Sequence, residues 1–220
     1  MNRFKATLLF VALPLAAGAQ RPDTGVAAPV FNYPNREALL PLTHPLLVEA
    51  PQGRDAGMVQ FATFAIDVYE YPNQAGSLPR TEVSLEEARA LCRKRGKRLC
   101  SEGEWELACR GAQDLAYGYG PQFGADRCNT PYPEGEIWKR RQGPAPSGAF
   151  AGCATPEGVH DLVGNVWEWT EGTYDPQQGW AVVRGGSWFH SVNYARADGR
   201  YGRYLSPDYH LDLIGFRCCR

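Results

Sequence analysis

The stretch that decides the fold is Gly158-Val159-His160-Asp161-Leu162-Val163-Gly164-Asn165-Val166-Trp167-Glu168-Trp169. Two carboxylates, Asp161 and Glu168, bracket a glycine-containing turn that can aim backbone carbonyls inward. Such an array of oxygen ligands suits a hard cation, calcium above all. In the alternative interpretation, Glu168 and Asn165 satisfy buried backbone groups while the two tryptophans pack. The segment therefore predicts either a calcium site or a packed turn whose polar side chains bond to the backbone.

Two short helices are expected upstream of this segment. Ser84-Leu85-Glu86-Glu87 and Ser101-Glu102-Gly103-Glu104 each place a serine three residues before a glutamate, which is the capping-box pattern of a helix start. Gly96 and Gly111 are plausible helix ends. Each helix carries a cysteine on its apolar face, so both helices are predicted to direct a thiol into the core.

The rest of the chain predicts short strands joined by long loops. Residues 59–69 are rich in β-branched and aromatic residues and are predicted to form a strand that Pro72 ends. From Tyr117 onward glycine, proline, asparagine and aromatic residues are dense, and the apolar runs are short, as in 180–183 and 213–216. By itself this composition indicates an α+β, disulfide-bonded fold.

The N-terminus has the order of an export signal. Basic residues in 1–5 precede an apolar stretch over 6–17 and the small residues Ala17-Gly18-Ala19, after which cleavage is expected. Residues 20–57 are predicted to be an arm or linker, and 58–220 the domain. The apolar stretch is short for a membrane span and no cysteine follows the cleavage point, so we expect a periplasmic or secreted protein without a membrane anchor.

Charge and cysteine content narrow the class further. The net charge is -1 and the charged residues are interspersed, so nothing indicates a nucleic-acid partner. Seven cysteines in an exported chain favour disulfides over metal thiolates and leave one thiol over.

Four ordered groups of residues carry a family resemblance. They are Phe64 to Glu70, Gly96 to Glu106, Gly158 to Trp169, and Arg184-Gly185-Gly186-Ser187-Trp188 together with Gly215-Phe216-Arg217-Cys218. On these segments the chain resembles the formylglycine-generating enzyme, or sulfatase-modifying factor, family from about Val59 to Arg220. That resemblance implies a compact, loop-rich α+β fold related to C-type lectins.

The resemblance also implies a scaffold of bound calcium and disulfides. A structural calcium would be held by the side chains of Asp161 and Glu168 and the carbonyls of Gly164 and Val166. The family pattern pairs Cys92 with Cys218. The further cysteines permit Cys128 with Cys153 and Cys100 with Cys219, which leaves Cys109 over, buried and inert.

The resemblance breaks down at the residues that perform the family's chemistry. The family's oxidase reaction needs two cysteines, five residues apart after the Gly-Gly-Ser segment, that bind copper; here those positions are His190 and Ala195. Thiolates are the soft ligands that hold Cu(I), so copper is not expected, and iron use is left open. Ser187 is retained, and Ser187 with His190 forms the candidate pocket. His190 is either a polar remnant of a repurposed site or a loop residue without chemistry.

Two functions remain open at this point. In the first, the domain is a non-catalytic module that binds a protein segment or a small ligand on a calcium- and disulfide-stabilised scaffold. In the second, it is an oxidoreductase that modifies a protein or small molecule by a different chemistry from cysteine-to-formylglycine conversion. Loss of the cysteine pair favours the binding module.

Overall fold

The computed structural model describes residues 57–220, which form two helices and ten short strands. The predicted signal peptide and almost all of the predicted arm lie outside the described residues. The helices are α1 (Leu85–Lys94) and α2 (Glu102–Arg110). The strands are β1 (Met58–Gln60), β2 (Ala65–Asp67), β3 (Arg98–Leu99), β4 (Tyr132–Glu134), β5 (Ile137–Lys139), β6 (Trp167–Trp169), β7 (Val183–Arg184), β8 (Arg200–Tyr201), β9 (Ile214–Phe216) and β10 (Cys218–Cys219).

Two four-stranded sheets organise this α+β fold. One sheet has the strand order β1-β2-β10-β3, and the other has the order β8-β7-β6-β9, while β4 and β5 form a separate hairpin. Strand β6 pairs in parallel with β9, and the remaining pairs are antiparallel. Because Arg217 alone separates β9 from β10, this short segment joins the two sheets.

Both predicted capping boxes are present. The Ser84 hydroxyl accepts the Glu87 backbone N–H while the Glu87 side chain accepts the Ser84 backbone N–H, and Ser101 and Glu104 repeat the arrangement on α2. These bonds satisfy helix N–H groups that have no intrahelical partner. Helix α2 ends at Gly111 as expected, with φ 58°, whereas α1 ends slightly before Gly96.

The single strand expected over residues 59–69 is wrong. The chain reverses there, and β1 and β2 pair antiparallel with Gln60 opposite Ala65. The Phe61 N–H donates to the Phe64 carbonyl at 2.8 Å, and the two rings stack with centroids 4.9 Å apart. Hairpin turns usually contain glycine or asparagine, and this turn has neither, so the sequence over 59–69 resembles that of one uninterrupted strand.

Three disulfides fasten the domain, and they join the pairs that the sequence analysis named. Cys92–Cys218 ties α1 to β10, Cys100–Cys219 ties the start of α2 to the same strand, and Cys128–Cys153 closes the central loop. Cys109 is free and buried, and that burial raises the pKa of its thiol to about 12. The expectation of a buried, inert leftover thiol is therefore confirmed.

Candidate functional site

A buried ion pair lies where α2 meets the two sheets. Arg217 donates from Nε to Glu168 Oε2 at 2.8 Å and from Nη2 to Oε1 at 2.6 Å. The Trp105 indole N–H adds a third donor to Glu168 Oε2 at 2.7 Å. All three residues are at most 1% exposed, so the carboxylate is fully desolvated and its charge is met by this bidentate contact.

Two further carboxyl groups border this pair. Asp161 Oδ2 accepts the backbone N–H of Gly148 at 2.6 Å. Glu70, completely buried, accepts the side-chain amide of Asn165 at 2.8 Å and the hydroxyl of Ser147 at 2.5 Å. The polar segment 161–168 thus takes part in a buried network that reaches back to the end of the first hairpin.

Carboxyl groups outnumber cationic groups in this buried cluster. Burial raises the pKa of Asp161 to about 6, and the charge of Glu168 contributes. Burial also raises the pKa of Glu70 well above its usual range, with the charges of Asp161 and Glu168 acting in the same direction. Three carboxyl groups therefore share one guanidinium, that of Arg217, and the cluster has a deficit of positive charge.

That deficit fits the calcium implied by the family resemblance. Asp161, Gly164 and Asn165 all have positive φ, at 58°, 79° and 53°, so the backbone turns sharply between the two proposed carboxylate ligands. Gly164 is required, since a Cβ there would meet the Asn129 carbonyl at 2.6 Å. The described residues contain no group of three His, Cys, Asp or Glu side chains placed to hold a metal, but the expected ligand set has only two carboxylates and completes itself with carbonyls.

Ser187 follows the Gly185-Gly186 turn after β7 and is 1% exposed. Its hydroxyl accepts the backbone N–H groups of Phe189 and His190 at 3.3 and 3.4 Å. These local bonds close a turn, as serine hydroxyls commonly do. The geometry gives Ser187 a structural task and no access to a ligand.

His190 has a defined tautomer. The Trp167 indole N–H donates to His190 Nδ1 at 3.0 Å. Because an indole nitrogen can only donate, Nδ1 is the acceptor and the proton of the neutral ring resides on Nε2. Burial, together with the charge of Arg140, lowers the pKa of His190. Among the described residues no hydrogen bond to Nε2 is present, and the His190 side chain is half-buried.

Ala195 lies on the other side of the short 3₁₀ turn Val192–Tyr194 and is 1% exposed. A Cβ added to Gly186 would lie 2.9 Å from the Ala195 Cα, which shows how closely the two segments pack. The methyl group of Ala195 therefore fills core space and offers no polar atom.

Comparison with known proteins identifies this arrangement. Residues 58–220 match the family model described as the sulfatase-modifying factor enzyme 1-like domain. The chain belongs to this family. In this sulfatase-modifying-factor domain, residues 190 and 195 are histidine and alanine.

The similar proteins include an inactive enzyme homologue and a formylglycine-generating enzyme. The chain is 41% identical over 147 residues to the inactive C-alpha-formylglycine-generating enzyme 2 of Bos taurus, covering 62% of this chain and 48% of the relative. It is 32% identical over 167 residues to the formylglycine-generating enzyme of Mus musculus, covering 62% and 42%. The chain thus spans about half, or less, of the length of these relatives.

Solved structures share the fold. Treponema denticola variable protein 1 superposes with a TM-score of 0.57 at 18% identity, covering 76% of this chain and 89% of that one. PvdO from Pseudomonas aeruginosa gives 0.55 at 20% identity, covering 71% and 80%. Identities this low support the sulfatase-modifying-factor fold and nothing about activity.

No accessible thiol exists in this sulfatase-modifying-factor domain. All seven cysteines of the chain lie between residues 92 and 219, within the described part. Six are in disulfides, and the seventh, Cys109, is buried with its pKa raised. Thiolate chemistry requires a deprotonated, reachable sulfur, and the domain has none.

Sequence reasoning missed three contributors to the buried cluster. Arg217, Trp105 and Glu70 all stand in the segments that carried the family resemblance, but their roles were not assigned. Glu168 is 49 residues from Arg217 and 63 from Trp105 in the chain, so no local spacing could reveal those bonds. An arginine embedded in the apolar β9–β10 segment was the available signal, since a buried arginine demands a partner.

Proposed function

We propose that this domain is a non-catalytic binding module that recognises a protein segment or a small ligand. The observation that carries the proposal is that residues 190 and 195, to which the family resemblance assigns the thiol pair, are histidine and alanine in a domain with no accessible thiol. Thiolates are what hold Cu(I) in a reactive state, and an alanine supplies no ligand at all. His190 contributes one free ring nitrogen, because the other is bonded to Trp167.

The relatives support this direction. The name of the Bos taurus relative, at 41% identity, describes that protein as inactive. The formylglycine-generating enzyme of Mus musculus is less similar, at 32%. We carry the inactive character to this chain as a part of the proposal.

A structural calcium ion belongs to the same proposal. The side chains of Asp161 and Glu168 and the carbonyls of Gly164 and Val166 would hold it, with Glu168 shared between the ion and Arg217. Its contribution would be to offset the repulsion among buried carboxylates and to order the turn that supports β6. Three buried carboxyl groups, those of Glu70, Asp161 and Glu168, interact with the one guanidinium of Arg217, which supports a further cation at this place.

Export to the periplasm or the cell exterior is also proposed. Three disulfides in a domain of this size are typical of proteins that fold in an oxidising compartment. The N-terminal residues have the order of an export signal. None of the helices in the described part of the chain is long and apolar enough to cross a bilayer.

Metal content and thiol oxidation test the proposal together. The mature, oxidised protein is analysed for calcium, copper and iron, titrated with Cu(I) against a chelator, and incubated with a cysteine-containing peptide under oxygen. We expect no stoichiometric copper and no oxygen consumption above the peptide blank. The variant with both His190→Cys and Ala195→Cys restores the thiol pair and serves as the chain's own reference for copper uptake.

A redox metal bound by the unaltered protein would contradict the proposal. Near-stoichiometric copper or iron in the unaltered protein, accompanied by oxidation of the peptide, would overturn the binding-module proposal. It would return the function to an oxidoreductase that uses another ligand set near His190.

A further inference from the structure

An unpaired cation is held in place beside His190. The guanidinium of Arg140 lies 3.9 Å from the centroid of the Phe189 ring, and the Phe189 and His190 rings are in edge contact with centroids 5.5 Å apart. The contact with Phe189 is a cation–π interaction, which positions the guanidinium without neutralising it. Among residues 57–220, no carboxylate lies within ion-pair distance of Arg140, whereas its neighbours Lys139 and Arg141 are paired with Glu134 and Asp126.

The two donors at this place are oriented independently of each other. Trp167 fixes the His190 proton on Nε2, and no residue in 57–220 accepts that N–H from the half-buried ring. Arg140 follows β5 directly, and this segment is attached to the His190 loop by the Arg141 N–H, which donates to the Trp188 carbonyl at 3.3 Å. A planar guanidinium and a fixed imidazole N–H are therefore linked through Phe189 and the hairpin, and neither has an acceptor within residues 57–220.

Exposed apolar surface adjoins these donors. Trp138 is two residues before Arg140, which is the first residue after β5. Trp138 is 54% exposed, with its ring 6.1 Å from that of Phe123, and Ile137 beside it is 57% exposed. A ligand that reaches Arg140 along the β5 segment would find the exposed aromatic ring of Trp138 two residues away.

The geometry points to Arg140, Phe189 and His190 as a binding site for a peptide carboxylate, with Trp138 contacting an apolar side chain next to that carboxylate. A guanidinium matches the two oxygens of a carboxylate through parallel N–H groups, and the imidazole N–H adds a third donor. The charge of Arg140, which no carboxylate of residues 57–220 pairs with, complements an acidic segment. This inference rests on the proposed binding function and names its ligand class.

Two dipeptides and two charge-matched variants test the site. The probes are acetyl-Phe-Glu-amide and acetyl-Phe-Gln-amide, which differ only in the carboxylate, titrated into the ¹⁵N-labelled full chain while the tryptophan indole N–H signals are followed. Arg140→Gln removes the proposed cation. Lys139→Gln is the control, because it removes the same charge from the same hairpin but from a side chain that is paired with Glu134.

We expect saturable shifts of the Trp138 and Trp188 indole signals with the glutamate probe. Arg140→Gln, or the glutamine probe, should weaken binding roughly tenfold, the loss expected for a charge-assisted hydrogen bond. Lys139→Gln should leave the dissociation constant within about twofold, because its charge is already paired. Phe189→Leu, which retains an apolar side chain but removes the ring, should weaken binding in the same direction as Arg140→Gln.

Several outcomes would overturn the inference. Binding that is equal for both probes, or unchanged in Arg140→Gln, would exclude a carboxylate site at Arg140. Inorganic phosphate that competes as well as the glutamate probe would reduce it to a general anion site. If no tryptophan indole signal shifts at millimolar concentrations of the glutamate probe, there is no such binding site. None of these results bears on copper binding or thiol oxidation, so failure of the ligand class is distinguishable from failure of the binding-module proposal.

Discussion

A single hydrogen bond determines what His190 can offer a ligand. The Trp167 indole N–H occupies Nδ1, so a second proton there would face another donor. Burial and the charge of Arg140 lower the pKa of the imidazole in the same direction. At neutral pH the residue is therefore a neutral ring that donates from Nε2, which suits recognition of an acceptor better than proton transfer.

Asp161 provides a test of the calcium proposal at the residue scale. With EDTA present, Asp161→Asn should stabilise the domain above pH 6, by at most about 3 kcal/mol, because it removes a buried charge. The sign follows from the pKa, which is raised to about 6 in the folded state: the carboxyl is protonated there at low pH, and stability is lost as pH rises through that value. An asparagine can retain the bond from the Gly148 N–H and tolerates the positive φ.

With calcium in place of EDTA, the unaltered protein should be more stable than Asp161→Asn. The unaltered protein should gain melting temperature with calcium by mass action, whereas Asp161→Asn should not. Asp212→Asn, which makes the same change at an exposed position, should respond like the unaltered protein. Thermal unfolding in EDTA and in millimolar calcium measures all three, and a calcium response retained by Asp161→Asn would show that the ion lies elsewhere.

At the scale of elements, the start of helix α2, like that of α1, is set by a local capping box. Ser101 accepts the Glu104 backbone N–H at 3.3 Å, and the Ser101 backbone N–H donates to Glu104 Oε2 at 2.9 Å. This helix carries Trp105, which donates to the buried Glu168, so its first turn positions one side of the cluster. The cap therefore acts on the network as well as on the helix.

Removal of that cap should have a measurable cost. Ser101→Ala should lower the free energy of unfolding by about 1 kcal/mol, because the Glu104 N–H loses its acceptor. Ser101→Thr keeps a hydroxyl and should cost less. Urea denaturation monitored by tryptophan fluorescence measures both, and an Ala variant as stable as the Thr variant would contradict the role of the cap.

At the scale of the whole molecule, two disulfides close nearly the same long loop. Cys92–Cys218 and Cys100–Cys219 join residues 126 and 119 positions apart, and both end on β10. While one is intact, the other adds only a short ring of roughly ten residues to the unfolded chain, so its chain-entropy contribution is about 3 kcal/mol. Once both are removed, the long loop opens as well.

The two bridges should therefore behave non-additively. Replacing either cysteine pair by alanine should cost about 3 kcal/mol, whereas replacing both pairs should cost roughly 7 to 8 kcal/mol, more than the sum. The Cys128–Cys153 bridge, with a separation of 25 residues, is the control and should add independently. Urea unfolding of the single-bridge, double-bridge and control variants measures the coupling, and a double loss no larger than the sum would refute it.

The sequence predicted helix starts and one strand correctly, because these depend on contacts between near neighbours in the chain or on a short run of apolar residues. Ser84 and Ser101 were recognised as caps because each partner is three residues away. The strand over 213–216 was recognised by its apolar run, and the domain contains β9 there. The reversal between Phe61 and Phe64 was missed because stacking of two rings replaces the usual turn residues.

By itself the sequence determined the family, the helix starts and the absence of cysteines at positions 190 and 195. These follow from residue identity and from spacings of a few residues. Only the tertiary structure decided that Glu168 pairs with Arg217, that His190 carries its proton on Nε2, and that Arg140 is held over Phe189. The reason is physical: each of those contacts joins residues far apart in the chain, and burial and hydrogen-bond partners exist only once the two sheets and the loops between them have packed.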